Sequence, residues 1–187
     1  MKPFVIVALT GLWCTACADY SPKPSGYFRI DLTEPHYSLH EFQYCKAEIS
    51  SQTMIIPAQA TQEGECFNIV YPNLNVQIYC SSFPIKTTTL ASWMEESVAF
   101  VHHQAKKPTA IKEQVFENQE QKVYARVFHI QGNTASPTQF ILTDSMHYFF
   151  RGALYFDHTP NQDSIAPVLE YINNDIHLFI ETFQWNR

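Results

Sequence analysis

The chain has 187 residues, a formal net charge of −6, and 45% hydrophobic and 14% aromatic side chains. That apolar content can bury one substantial core, so no second domain is required. The acidic balance gives phosphate-rich partners no electrostatic help, which argues against nucleic acid, and five glycines without fingerprint spacing argue against a nucleotide-cradling loop.

The first element is a signal. Lys2 precedes an apolar run (Phe4 to Leu9, then Leu12 and Trp13), and the small residues Thr15 and Ala16 stand directly before Cys17. The run is shorter than the roughly 20 residues a membrane-crossing helix needs, and it ends as a bacterial lipoprotein signal ends. Cleavage before Cys17, with lipid on its sulfur and new amino group, is therefore expected. Cys14 is a poorer acceptor because Trp13 places a bulky indole before it. Only Asp19 is acidic in residues 17–21, so a periplasm-facing domain is expected, with the outer membrane favoured over the inner. The expected organisation is a signal peptide over 1–16, a lipidated cysteine and Pro-rich tether over 17–26, and a single α+β domain over 27–187.

The tether (Ser21-Pro22-Lys23-Pro24-Ser25-Gly26) favours extended backbone. Residues 27–32 then alternate as a strand, and residues 42–49 predict another, followed by a polar loop over 50–64. Residues 67–70 and 76–79 read as a hairpin whose turn, centred on Asn73, would set Cys66 opposite Cys80. Once Cys17 is acylated and Cys14 removed, Cys45, Cys66 and Cys80 leave an odd number in an oxidising compartment. A Cys66–Cys80 disulfide is one outcome, pairing of Cys45 with either is equally allowed, and three buried free thiols are the remaining alternative.

From 89 to 107 the period changes: Leu90, Met94, Val98, Val101 and Ala105 recur at helical spacing, with Trp93 widening the stripe. Strands over 110–116, 122–131, 138–143 and 146–156 follow, and their short polar connections predict one antiparallel meander. A closing helix starts at Asp163 and Ser164, with Val168, Ile172, Ile176, Phe179, Ile180 and Phe183 as its buried face. The predicted fold is α+β, a mostly antiparallel sheet covered by two main helices. The element order is similar to the PsbP/Mog1-like layered sandwich, an analogy of fold only.

No catalytic constellation emerges. His102 and His103 are adjacent on a helix, so their side chains diverge by about 100° and cannot share a metal. His36 and His40 have a spacing that converges only on a helix, which Pro35 and the aromatic neighbours disfavour, so both read as loop residues. The other histidines are dispersed, and Glu95 and Glu96 read as charges placed by the helix dipole. No metal, cofactor or catalytic residue is expected. Arg29 and Arg151 stand out as cations inside apolar strands, candidate contacts for a partner or an anion; the plainer alternative is a solvent-facing position or pairing with Asp31 or Asp144.

Several blocks in one order carry a resemblance. Pro22-Lys23-Pro24-Ser25-Gly26-Tyr27-Phe28-Arg29-Ile30-Asp31-Leu32, Cys66-Phe67-Asn68-Ile69, Gly132-Asn133-Thr134-Ala135-Ser136, Phe140-Ile141-Leu142-Thr143-Asp144-Ser145, Phe150-Arg151-Gly152-Ala153-Leu154-Tyr155-Phe156 and Ile180-Glu181-Thr182-Phe183-Gln184-Trp185 resemble the gliding-motility lipoprotein D family (GldD) of Bacteroidota. The resemblance runs from about Tyr20 to the end. It implies a component required for gliding, with the type IX secretion apparatus and other lipoproteins of that machine as partners, and it carries over no catalytic residues. Two function classes follow: a non-catalytic assembly factor or structural partner, and a module binding a small or envelope-derived ligand. A closed core without a cavity near the two arginines would count against the second.

Overall fold

Residues 65–71 and 76–84 alternate buried and more open positions, the period of strands with one face packed on a core. A computed structural model describes residues 32–59, 64–85, 89–105, 110–157 and 162–186. In chain order the elements are β1 (Tyr37–Glu41), β2 (Cys45–Ser50), β3 (Met54–Ala58), β4 (Glu65–Tyr71), β5 (Val76–Pro84), α1 (Leu90–Gln104), β6 (Ile111–Asn118), β7 (Val123–Ile130), β8 (Thr138–Thr143), β9 (Tyr148–Phe156), α2 (Gln162–Thr182) and β10 (Gln184–Trp185). A seven-stranded sheet runs β3-β4-β5-β9-β8-β7-β6, and a three-stranded sheet runs β1-β2-β10. All pairings are antiparallel, as expected for an α+β domain.

One face of the large sheet carries Phe67, Ile69, Ile78, Phe140, Leu142, Phe150 and Leu154. It packs against Ile172, Ile176 and Phe179 of α2, against Phe183 just beyond the helix, and against Cys45, Ala47 and Ile49 of β2. The opposite face meets α1 through Phe128, Ile130, Ile141 and Phe149, which pack on Trp93, Met94, Val98 and Val101. All of β8 is buried, because it is covered from both sides. A helix is about 10 Å wide and strands lie about 4.8 Å apart, so α1 alone covers about two or three strands of its face. It lies over β7 and β9 and stacks Trp93 on Phe83 at the end of β5, and among the described residues the β3–β4 end of that face and the adjoining part of β5 are left open.

Several expectations are corrected. The strand expected over 42–49 begins at Cys45; residues 42–44 form the turn from β1, which occupies the stretch read as a loop around His36 and His40. The polar loop expected over 50–64 contains β3, whose Pro57 is tolerated because β3 is an edge strand. Glu95 and Glu96 do not sit in the first turn of α1, which holds no acidic residue.

Cys66 does not face Cys80. The turn spans Pro72 to Asn75, with Asn75 in the left-handed region (φ 51°), and the register pairs Phe67 with Cys80 and Cys66 with Ser81. A one-residue shift sends the two side chains to opposite faces of the sheet. Cys45, Cys66 and Cys80 are free thiols, so the hairpin disulfide is absent. Residues 1–31, including Cys17, the tether, Arg29 and most of the first expected strand, lie outside the described residues.

Candidate functional site

Alternation along β9 sends Phe150, Gly152 and Leu154 into the α2-side core and Phe149, Arg151, Ala153 and Tyr155 to the α1 face. Phe149 lies beneath Trp93 of α1, with ring centroids 6.1 Å apart. Two residues on, Arg151 reaches the margin of the helix, and its guanidinium carbon sits 4.3 Å from the Phe100 ring centroid. Its cross-strand neighbours are Ser81 on β5 and Ile141 on β8.

Beyond Arg151 the open sheet face forms a groove of about 630 Å³. That volume lies within the range of small-ligand sites. Tyr79 and Tyr155 meet edge to face at 5.3 Å on its floor, and the Gln77 side-chain amide donates a 2.6 Å hydrogen bond to the Tyr79 hydroxyl. Toward the sheet edge, Met54 and Ile56 are 53% and 45% exposed, and Tyr79 is 44% exposed. Asn68 and Ser81 add hydrogen-bonding groups.

Arg151 is the charged side chain among the lining residues of the groove. Burial lowers the Arg151 pKa, opposed by the fields of Tyr155 and Glu96. Among the described residues Arg126 forms an ion pair with Glu113, His147 Nδ1 lies 3.2 Å from Asp144 Oδ2, and Arg151 joins neither. The suggested Arg151–Asp144 pairing is absent because Asp144 is occupied in the β8–β9 turn. Burial acts to raise its pKa, but hydrogen bonds from the backbone N–H groups of His147, Tyr148 and Met146 outweigh that and hold its carboxyl low. The same bonds brace Ser145 in the left-handed region (φ 68°).

The remaining titratable groups form no activated nucleophile among the described residues. Thr138 Oγ1 lies 3.4 Å from His129 Nδ1, yet it donates its hydrogen to Asn173 Oδ1 at 2.8 Å. The His129 and His177 rings are 6.3 Å apart, and no group of three metal-ligating side chains occurs among the described residues. Burial raises the thiol pKa of Cys45 and Cys80, which keeps both protonated at neutral pH.

Of the two arginines singled out in the sequence, Arg151 therefore lines a groove, and Arg29 lies outside the described residues. Sequence reasoning missed the aromatic floor, because Tyr79, Phe100 and Tyr155 read as core. The one local signal was Tyr155, four residues after Arg151 and so on the same face of one strand; Tyr79 and Phe100 come from other elements. Residues 17–185 match the family model described as gliding motility lipoprotein GldD. No curated protein matches the chain.

Proposed function

Because the chain belongs to the gliding motility lipoprotein GldD family, we propose that it serves gliding as a non-catalytic component or assembly factor, acting with the type IX secretion apparatus and other lipoproteins of the machine. The observation that carries this reading is the extent of the family match, which begins at Cys17, the residue the signal marks for acylation. In this reading lipid on Cys17 anchors the protein, residues 18–26 space it from the bilayer, and residues 27–187 form one domain in the periplasm, with the outer membrane favoured. No helix of the described residues is long and apolar enough to cross a membrane, so the lipid would supply the anchorage for this part of the chain.

Crosslinking in intact gliding cells tests the assembly role. Gliding or secretion components are expected among the captured neighbours; their absence under conditions that capture known envelope contacts would sink the reading. Cys17→Ala is expected to abolish lipid labelling and to accumulate uncleaved precursor, read by labelled-fatty-acid incorporation and gel mobility. Unchanged labelling would move the acceptor to Cys14.

A second reading, a module binding a small or envelope-derived ligand, is supported by the groove at Arg151. The two readings are compatible, since an assembly factor can recognise its partner through such a site.

A further inference from the structure

We propose that the α1-side groove receives the free terminal carboxylate of an extended polypeptide whose last residues are apolar or aromatic, with the carboxylate seated on Arg151. This rests on the reading of the groove as a binding site. The argument is one of charge and surface complementarity. A half-buried guanidinium without an ion-pair partner among the described residues favours an anion, and its planar fork matches a carboxylate bidentately. Phe100 covers one face of the guanidinium, leaving the donors around its rim. One cation, with Glu96 acting on it and a net charge of −6 on the chain, suits a singly charged group better than a phosphate dianion.

The remaining wall separates a peptide from a fatty acid. Ala58, Tyr79, Ala153 and Tyr155 offer apolar surface, but Asn68, Ser81 and the Tyr155 hydroxyl are interspersed with it. Peptide amides can satisfy those groups, whereas a methylene chain would leave them unpaired. An open groove would also leave one side of an acyl chain in water. The last described residues lie elsewhere: Trp185 is buried in β10, and the Asn186 side chain donates to the Phe42 carbonyl at 2.6 Å.

The test uses the full chain in detergent with acetyl-Ala-Val-Phe-Phe as free acid and as C-terminal amide, titrated by calorimetry. The acid is expected to bind at least about tenfold more tightly than the amide, as a charge-assisted hydrogen-bond pair warrants. Arg151→Met should bring the acid-to-amide ratio to about one, and Arg151→Lys, which keeps charge but not the fork, should lower it severalfold. Tyr79→Ser should weaken both peptides alike. Equal affinity of acid and amide for the native protein, or no binding of either at millimolar concentration, would overturn the proposal. Dodecanoate binding as tightly as the peptide acid, or inorganic phosphate displacing it, would also overturn it while leaving the groove a binding site. Neither result touches the gliding role, which the crosslinking experiment decides.

Discussion

Asp175→Ala is expected to destabilise the domain by about 3 kcal/mol, the loss of two hydrogen bonds to a buried carboxylate together with the orphaning of their donors. Asp175 lies on α2 and is 6% exposed. Its Oδ1 accepts the Tyr37 hydroxyl of β1 at 2.6 Å, and its Oδ2 accepts the Tyr71 hydroxyl of β4 at 2.9 Å. One carboxylate thus ties the long helix to both sheets. Asp175→Asn keeps the volume and one acceptor oxygen, so its cost at low pH should be about 1 kcal/mol or less.

The same residue predicts a pH dependence. Burial raises the Asp175 pKa and outweighs the opposing hydrogen bonds from Tyr37, Tyr71 and Ser50. A group that binds its proton more tightly when folded contributes stability that is fully present below the unfolded pKa, about 3.9, and is lost as pH rises through the folded value. Urea unfolding from pH 4 to 7 should therefore show a downward contribution in the native protein that Asp175→Asn removes. Asp144, with its lowered pKa, works in the opposite direction, so the difference between native and variant is the informative quantity. An Asp175→Ala cost below about 0.5 kcal/mol would show that the three-way tie adds little.

Gly152→Ala is expected to cost about 2 kcal/mol, equivalent to roughly 4–8 °C in Tm for a domain of this size. Gly152 is buried on the α2 side of β9, paired with Cys80 and Phe140. A Cβ there would overlap the Phe140 ring. That ring cannot simply swing aside: it stacks near Phe150 at 6.1 Å and meets Phe179 of α2 edge-on at 6.1 Å. Phe140→Leu in the Gly152→Ala background should recover part of the loss, a coupling visible in a double-mutant cycle. Strict additivity of the two changes would show that Phe140 is not what the glycine accommodates.

These two sites show why the fold was only partly legible. α2 was readable in detail, because Val168, Ile172, Ile176, Phe179 and Ile180 repeat at helical spacing and all are buried, as is Phe183 just past its end. The meander from β6 to β9 was readable because short turns force neighbours in sequence to be neighbours in space. The β5–β9 pairing was not: α1 and three strands separate the two in sequence, and no local signal marks so distant a partner. β3 was hidden in a polar stretch with a proline, and β10 is too short to show a period.

The candidate site divides in the same way. Arg151 was visible as a cation in an apolar strand, but its surroundings depend on where α1 ends across the sheet, a matter of helix width against strand number.

By itself the sequence determined the α+β class and the family, because hydrophobic periodicity and ordered motif blocks are local and need no distant partner to be recognised. Only the tertiary structure decided the hairpin register that separates Cys66 from Cys80, the carboxylate that joins α2 to both sheets, and the uncovered face that turns Arg151 into part of a groove. Each depends on a one-residue offset, a long-range contact or an area left over after packing, and none of these leaves a mark in nearby residues.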